Sequence, residues 1–113
     1  MRKFSNNLSP AQVERLSLII EEAAEVQQVA CKILRHGYAS THPRGGDNNR
    51  ALLENELGDL QATVAIAFAA GDIKPRAVIE AAESKMESVR EYLHHQSEEL
   101  LDRAAAKVGV KIT

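Results

Sequence analysis

The sequence predicts an all-α fold, a bundle of three to four helices in a single domain that spans residues 1–113. A chain of 113 residues has the usual size of one domain. Only 4% of the residues are aromatic and Trp is absent, so Ala, Leu, Val and Ile must build the core, a composition that favours helices over sheet. Apolar residues also recur at helical spacing in successive segments of the chain.

Helix one is predicted over about residues 10–36. Ser9-Pro10-Ala11-Gln12 combines a capping hydroxyl, proline at the first helical position and Gln at the third, which together form a capping box, and Gly37 is a stop signal. Two apolar lines follow the helix: Val13, Leu16, Ile20, Ala23, Ala24, Ala30 and Leu34 form the first, and Ile19, Val26, Val29 and Ile33 the second. Because a small chain has little left to cover a second apolar face, we expect another subunit to cover it, which gives a dimer or a tetramer.

A long loop and further helices follow. Residues 37–49 are polar, contain Gly-Gly and show no periodicity, and a loop of this length is often functional. Helix two is predicted over about residues 50–70 and helix three, opened by Pro75, over about residues 75–95. A weaker segment over residues 97–108 is either a fourth helix or a tail. The core stripe of helix two is predicted to be Leu53, Leu57, Leu60, Val64, Ala67 and Phe68.

Charge and composition argue against two classes of partner. Fourteen Lys and Arg residues against sixteen Asp and Glu residues give a formal charge of -2, without the basic excess of proteins that bind polymeric nucleic acid. The N-terminal segment has no apolar core, and the longest apolar run, residues 62–70, is far shorter than the roughly 20 residues of a membrane span. The single Cys31 falls in a helical pattern, where we expect a buried thiol. These observations favour a cytoplasmic protein without a membrane partner.

Two groups of carboxylates dominate the chemistry that the sequence offers. Helix one carries Glu21, Glu22 and Glu25 between apolar neighbours, and helix two carries Glu56 and Asp59, again three residues apart. Residues three or four apart share a helix face, so an antiparallel hairpin across the long loop would bring the two groups together. Carboxylates that converge repel each other, and a divalent cation is the obvious compensator. Oxygen ligands without His or Cys favour Mg²⁺, with Mn²⁺ able to replace it. The alternative is that each acidic pair lies on a solvated helix face.

These residues resemble a known family. Glu21-Glu22-Ala23-Ala24-Glu25, followed by Glu56-Leu57-Gly58-Asp59, is similar to the EExxE and ExxD signature of the MazG-like, all-α nucleoside triphosphate pyrophosphohydrolases. The segment 31–37, the Asn48-Asn49-Arg50 opening of helix two and Lys85 resemble the compact MazG-like proteins often found in phages. The similarity covers roughly residues 13 to 93.

The resemblance implies a reaction and its residues. A nucleoside triphosphate, with the deoxy form favoured, would be hydrolysed to the monophosphate and pyrophosphate. Glu22, Glu25, Glu56 and Asp59 would be the metal ligands. Glu21, or whichever of Glu22 and Glu25 keeps a free oxygen, would accept the proton of the attacking water, and the choice among the three stays open.

Basic and amide groups are the predicted substrate contacts. Lys32 and His36 lie seven and eleven residues beyond Glu25, which returns both to its side of the helix, where they can contact phosphates or the loop. Arg35 and Lys85 match the pattern of the compact family. For Arg35 and His36, a favourable position against the helix dipole or a solvated surface charge is an equally good explanation. Asn49 lies seven residues before Glu56, where it contacts sugar or base or caps the helix.

Two competing functions are also compatible with the sequence. Glu91-x-x-His94 has the spacing of the Glu-His pairs in di-iron bundles, although the segment after it is polar and a surface histidine is the simpler interpretation. The main alternative to the enzyme is a catalytically silent helical dimer that binds nucleotides or a protein partner.

Overall fold

The computed structural model describes residues 5–109, and this part of the chain is helical, as the sequence predicts. The helices are α1 (Pro10–His36), α2 (Asn49–Ala70), α3 (Pro75–Ser88) and α4 (Glu98–Lys107), with a short 3₁₀ turn at Val89–Glu91. A single isolated β-bridge, between Thr41 and Asn48, is the only extended pairing among the described residues. The chain forms two compact units, Met1–Ala69 and Ala70–Thr113, of which residues 5–69 and 70–109 are described.

The start and the end of α1 lie where the sequence predicts them. The backbone N–H of Gln12 donates to the Ser9 hydroxyl at 3.1 Å, and the Gln12 side chain accepts from the backbone N–H of Ser9 at 2.8 Å. Both halves of the capping box are therefore formed. At the other end Gly37 adopts a φ of 88°, and its N–H donates to the carbonyl of Ile33. The helix stops here because this backbone conformation favours glycine.

In the first unit, α2 returns alongside α1. The side chain of Asn49, at the start of α2, donates to the carbonyl of Gly37, and further along Glu56 and Asp59 lie beside Glu22. Later residues of α2 thus lie beside earlier residues of α1, so the two helices are antiparallel. Within residues 5–69, the buried side chains are Val29, Asn49, Thr63 and Ala67.

The two apolar lines of α1 differ in exposure. Val29 of the second line is buried, and Ile19, Val26 and Ile33 are half-buried, so this line faces the interior of the unit. The first line includes Ile20, which is 69% exposed, and Leu34, which is 87% exposed. Cys31 is also exposed, so the prediction of a buried thiol is wrong. The helical period identified two faces, but tertiary packing decides which of them is covered.

The predicted stripe of α2 is covered only in part. Ala67 is buried, Leu53, Leu60, Val64 and Phe68 are half-buried, and Leu57 is 46% exposed. The helix begins at Asn49, one residue before the predicted start. Its N-terminus is capped by Asn48, whose side-chain oxygen accepts the N–H of Ala51 at 2.9 Å. The interpretation of Asn49 as the cap is therefore wrong by one residue.

The second unit is a helical hairpin whose first helix is shorter than predicted. The sequence predicts helix three up to residue 95, but α3 ends at Ser88 and the 3₁₀ turn follows it directly. Arg90 in this turn donates to Glu98 and to Asp102, with 2.9 Å between Arg90 Nη2 and Asp102 Oδ1. These ion pairs join the turn to α4, and Leu101 is the buried apolar residue of α4. The weaker C-terminal segment is thus a helix, capped by Ser97.

Within residues 5–109, no helix combines the length and the apolar character that a bilayer crossing needs.

We expect Gly109→Ala to destabilise the protein by about 1–2 kcal/mol, because Gly109 has a φ of 83°, where a side chain strains the backbone. An added Cβ would also lie 3.3 Å from Cγ2 of Ile79. Urea unfolding followed by circular dichroism measures the loss. Gly58→Ala is the control: this glycine is within α2 and has open space around it, so we expect a gain of up to about 1 kcal/mol. Equal stability of the two variants would contradict the strained conformation of Gly109.

Candidate active site

Three carboxylates of the first unit converge where α2 passes α1. Glu22 from α1 and Glu56 and Asp59 from α2 each offer one oxygen, and these oxygens all lie within 4.8 Å of one another. Glu56 and Asp59 share a face of α2 because they are three residues apart. Glu22 and Glu56 are half-buried, whereas Asp59 is exposed. We call these three residues the carboxylate cluster.

Two oxygens of the carboxylate cluster are buried without a partner. Oε2 of Glu22 and Oε2 of Glu56 are both shielded from solvent, and neither accepts or donates a hydrogen bond. Buried polar atoms in folded proteins are nearly always hydrogen-bonded, and those that are not call for an explanation such as catalysis or a bound ion. The two glutamates come from different helices, so the unpaired oxygens are a feature of the packing rather than of either helix alone.

The surroundings raise the pKa of Glu22 above its usual value. Desolvation by burial is the largest cause, because it disfavours the charged form of the carboxyl group. The negative charges of Asp59, Glu25 and Glu21 act in the same direction. Apolar packing and like charges therefore both oppose ionisation at this position.

The pKa of Glu56 is raised for similar reasons. Burial is again the largest cause, and a hydrogen bond with the side chain of Glu25 comes next. The charges of Glu25, Asp59 and Glu22 raise the pKa of Glu56 further. Burial and the neighbouring carboxyl groups therefore oppose ionisation of Glu56 as well.

The structure thus brings together three of the four predicted metal ligands. Glu25, the fourth, is half-buried and bonds to Glu56 instead of joining the set of oxygens within 4.8 Å. Glu21 is exposed and acts on the cluster through its charge. An all-oxygen, all-carboxylate set of this kind suits a hard divalent cation, which would pair with the unpaired oxygens and offset the repulsion.

A groove with a cavity volume of about 330 Å³ lies at the loop end of the same unit. It is formed by the last turns of α1, by the loop and by the start of α2. We call it the loop groove, and its lining residues are Lys32, Arg35, His36, Ser40, Thr41, His42, Pro43, Asn49 and Leu52. Four of the five predicted substrate contacts are therefore lining residues. The fifth, Lys85, is exposed on α3 in the second unit.

Sequence reasoning missed the contribution of the loop to this groove. Ser40, Thr41, His42 and Pro43 lie in a segment without periodicity, so no pattern indicated which of them turn towards α1. The one signal in the sequence was the length of the loop between two helices that return on each other. Asn49 is 3% exposed, and its side-chain amide donates to the carbonyl of Gly37 at 3.0 Å. This bond gives Asn49 a role in holding the loop.

The residues of the competing di-iron interpretation do not share a helix. Glu91 closes the 3₁₀ turn, and His94 lies in the connection before α4. They therefore lack the regular α-helical geometry that places a Glu and a His three residues apart on one face. Glu91 and His94 also belong to no group of metal-binding side chains within the described part of the chain.

Comparisons of this chain with models of protein families, with curated proteins and with solved structures find no match.

In metal-free buffer, we expect the stability advantage of the Glu22→Gln, Glu56→Gln double variant over the wild type to grow as the pH rises above 4.5, the ordinary value for Glu. The raised pKa values mean that the folded wild type binds more protons than the unfolded chain in this range, so its stability is lost as the pH rises through the folded pKa values. Glutamine does not titrate and avoids this loss.

Urea unfolding at pH values from about 4 to 8 tests this expectation, since the range brackets ordinary and raised carboxyl pKa values. Glu54→Gln, which removes an exposed charge from the same helix, is the control. A difference in unfolding free energy that does not vary with pH would contradict the assignment of the buried carboxyl groups.

Proposed function

We propose that this protein is a metal-dependent nucleoside triphosphate pyrophosphohydrolase, which cleaves a (deoxy)nucleoside triphosphate to the monophosphate and pyrophosphate. The observation that carries the proposal is the carboxylate cluster, with two buried oxygens that have no partner. A solvated acidic face would leave such oxygens in water. The order of the acidic residues along the chain, with its resemblance to the MazG-like signature, indicates the class of reaction. We place this reaction in the cytoplasm, where nucleoside triphosphates are abundant.

The donor set of the carboxylate cluster fits Mg²⁺, with Mn²⁺ as a substitute. Glu22, Glu56 and Asp59 would hold the ion, and one oxygen of Glu25 would complete the set, which leaves its other oxygen free. A divalent cation would offset the negative charge of a polyphosphate and acidify a water molecule. A bound cation would favour the charged form of Glu22 and Glu56 and so would lower their raised pKa values.

The side chains of the site supply the proton acceptor. Of the three candidates Glu21, Glu22 and Glu25, we assign the role of general base to Glu25. It is half-buried beside the carboxylate cluster but outside the three convergent oxygens, whereas Glu21 is exposed. Glu25 would take a proton from the attacking water as the water oxygen bonds to the α-phosphorus and the bond to the bridging oxygen breaks.

The remaining predicted residues contribute to substrate binding in this proposal. Lys32, Arg35 and His36 present N–H donors in the loop groove, where they would contact the substrate. Asn49 supports them by fixing the loop, as its bond to Gly37 indicates. Lys85 stays a predicted contact on the basis of the resemblance.

We also propose that the protein acts as a homo-oligomer, a dimer or a tetramer. The first apolar line of α1 supports this proposal. We call it the outer line, since its residues Val13, Leu16, Ile20 and Leu34 are all at least 45% exposed. They recur at helical spacing from residue 13 to residue 34, so one straight partner helix can cover them. A second copy of α1 offers a self-complementary surface of this kind.

We expect Glu22→Gln and Asp59→Asn each to lower kcat/KM by more than about 100-fold. Loss of a ligand should exceed the 10–100-fold that loss of a supporting residue around a metal typically costs. The assay incubates the protein with each of the eight common nucleoside triphosphates and Mg²⁺ or Mn²⁺ and separates the products by ion exchange. Glu14→Gln on α1 and Glu54→Gln on α2, both exposed, are the matched controls and should retain activity.

The products and the variants separate the two functional candidates. Monophosphate and pyrophosphate in equal amounts support the pyrophosphohydrolase, while diphosphate and phosphate would mean a different reaction. Nucleotide binding without turnover by folded, metal-loaded protein would favour the silent helical dimer instead.

We expect the double substitution Ile20→Glu, Leu34→Glu to dissociate the oligomer, because it places charges in the middle and at the end of the outer line of α1. Light scattering coupled to size exclusion measures the mass, and circular dichroism checks that the helices remain. Ile66→Glu, at an exposed apolar position of α2, is the control. A wild-type protein that is monomeric at micromolar concentration would refute the oligomer.

A further inference from the structure

The loop groove combines positive charge with an absence of negative charge. None of its lining residues is acidic, and the groove contains Lys32 and Arg35 from α1. Within residues 5–109, neither of these side chains forms an ion pair, although Lys32 is half-buried. Among the described residues, no acidic side chain therefore offsets the positive charge of the groove.

The loop adds directed hydrogen-bond donors to this charge. Nδ1 of His42 accepts the backbone N–H of Arg44 at 3.0 Å. Because that nitrogen is an acceptor, the ring proton must be on Nε2, which leaves His42 with an N–H donor for a ligand. Ser40 and Thr41 also line the groove, and neither hydroxyl group is engaged in a hydrogen bond among the described residues.

The wall of the groove is held in place by backbone hydrogen bonds. The N–H of Asn49 donates to the carbonyl of Ser40 and the N–H of Arg50 donates to the carbonyl of Tyr38, both at 2.9 Å. The guanidinium group of Arg50 lies over the ring of Tyr38, 5.1 Å from its centre. These contacts lie on the loop segment that carries Ser40 and position it before any ligand arrives, which lowers the entropy cost of binding.

The loop groove and the carboxylate cluster are separate along α1. Lys32 and Arg35 lie seven and ten residues beyond Glu25, which corresponds to about 10–15 Å of helix at a rise of about 1.5 Å per residue. One phosphate group does not span that distance. An anion in the groove is therefore a different group from one that is held at the cluster.

We propose that the loop groove is a phosphate-binding site that works without a metal ion, in which Lys32, Arg35 and Nε2–H of His42 contact a phosphate group of the ligand. A cationic groove with fixed N–H and O–H donors matches the tetrahedral, acceptor-rich phosphate better than it matches a carboxylate or an apolar group. This inference rests on the proposed function where the phosphate is that of the hydrolysed substrate, although none of the groove residues belongs to the carboxylate cluster.

Two parts of a nucleotide can supply this phosphate. One is the far end of the polyphosphate chain that the cluster would hold, and the other is a second phosphate on the ribose. Both have the same chemistry in the groove, and their binding affinities distinguish them.

The experiment measures binding to the full chain by calorimetry in buffer with EDTA. The probes are inorganic phosphate, pyrophosphate, a nucleoside 5′-monophosphate and a nucleoside 3′,5′-bisphosphate. We expect saturable binding of pyrophosphate or of the bisphosphate. Arg35→Ala and His42→Ala should each weaken that binding by about tenfold, the effect of losing one charge-assisted hydrogen bond.

Arg44→Ala is the matched control, because Arg44 belongs to the same loop and carries the same charge as Arg35 but does not line the groove. It should change the affinity by less than twofold, and Arg35→Lys should restore part of the affinity that Arg35→Ala loses. Circular dichroism and unfolding curves confirm that each variant is folded. Tighter binding of pyrophosphate identifies the end of a polyphosphate, and tighter binding of the bisphosphate identifies a ribose phosphate.

The results separate this proposal from the proposed function. Equal losses in Arg35→Ala, His42→Ala and Arg44→Ala, or no binding of any probe, would overturn the groove site even if the protein hydrolyses nucleotides. Metal-free binding that depends on Arg35 and His42 supports the groove site even if no nucleotide is hydrolysed. Glu22→Gln should leave this binding unchanged within twofold.

Discussion

Electrostatic repulsion between carboxylates is the constraint on which the structure of the first unit depends. Glu22, Glu56 and Asp59 bring like charges from two helices into one place, and two of their oxygens are buried without a partner. Burial and the like charges raise the pKa values of Glu22 and Glu56, so the surroundings oppose ionisation of both carboxyl groups. A site that is electrostatically unfavourable when empty is suited to bind a cation tightly, because the ion removes the repulsion.

Other contacts must hold the two helices together against this repulsion. Val29, in the second and inner apolar line of α1, and Ala67 of α2 are both buried. At the loop end, the side chain of Asn49 donates to the carbonyl of Gly37, and its backbone N–H donates to the carbonyl of Ser40. Asn49 therefore links the start of α2 to the loop that follows α1. The hairpin thus has buried apolar residues on both helices and hydrogen bonds at its loop end.

The same two helices separate charge along their length. The carboxylate cluster lies towards the middle of α1, and Lys32, Arg35 and the loop histidine His42 follow it towards the C-terminus of that helix. A helix C-terminus favours cations because of its dipole, so part of this arrangement stabilises α1 by itself. The dipole does not explain why these cations lie in a groove that Ser40, Thr41 and His42 also line. A ligand that bears both phosphate and metal-binding oxygens would use both regions.

The local features of this protein could be predicted from its sequence. The capping box at Ser9, the stop at Gly37, the start of α3 at Pro75 and the all-helical class follow from hydrogen-bonding patterns and backbone preferences that act within a few residues, and the structure confirms them. The pairing of Glu22 with Glu56 and Asp59 was also predictable, because helical spacing fixes which residues share a face and the loop allows the chain to return.

Packing between the elements settled the remaining features. Glu25 bonds to Glu56, Cys31 is exposed and α3 stops at Ser88, none of which the sequence patterns indicated. The same holds for the groove that Ser40, Thr41 and His42 line. Burial and long-range hydrogen bonds depend on how helices and loops pack together, and a local pattern carries no information about that packing.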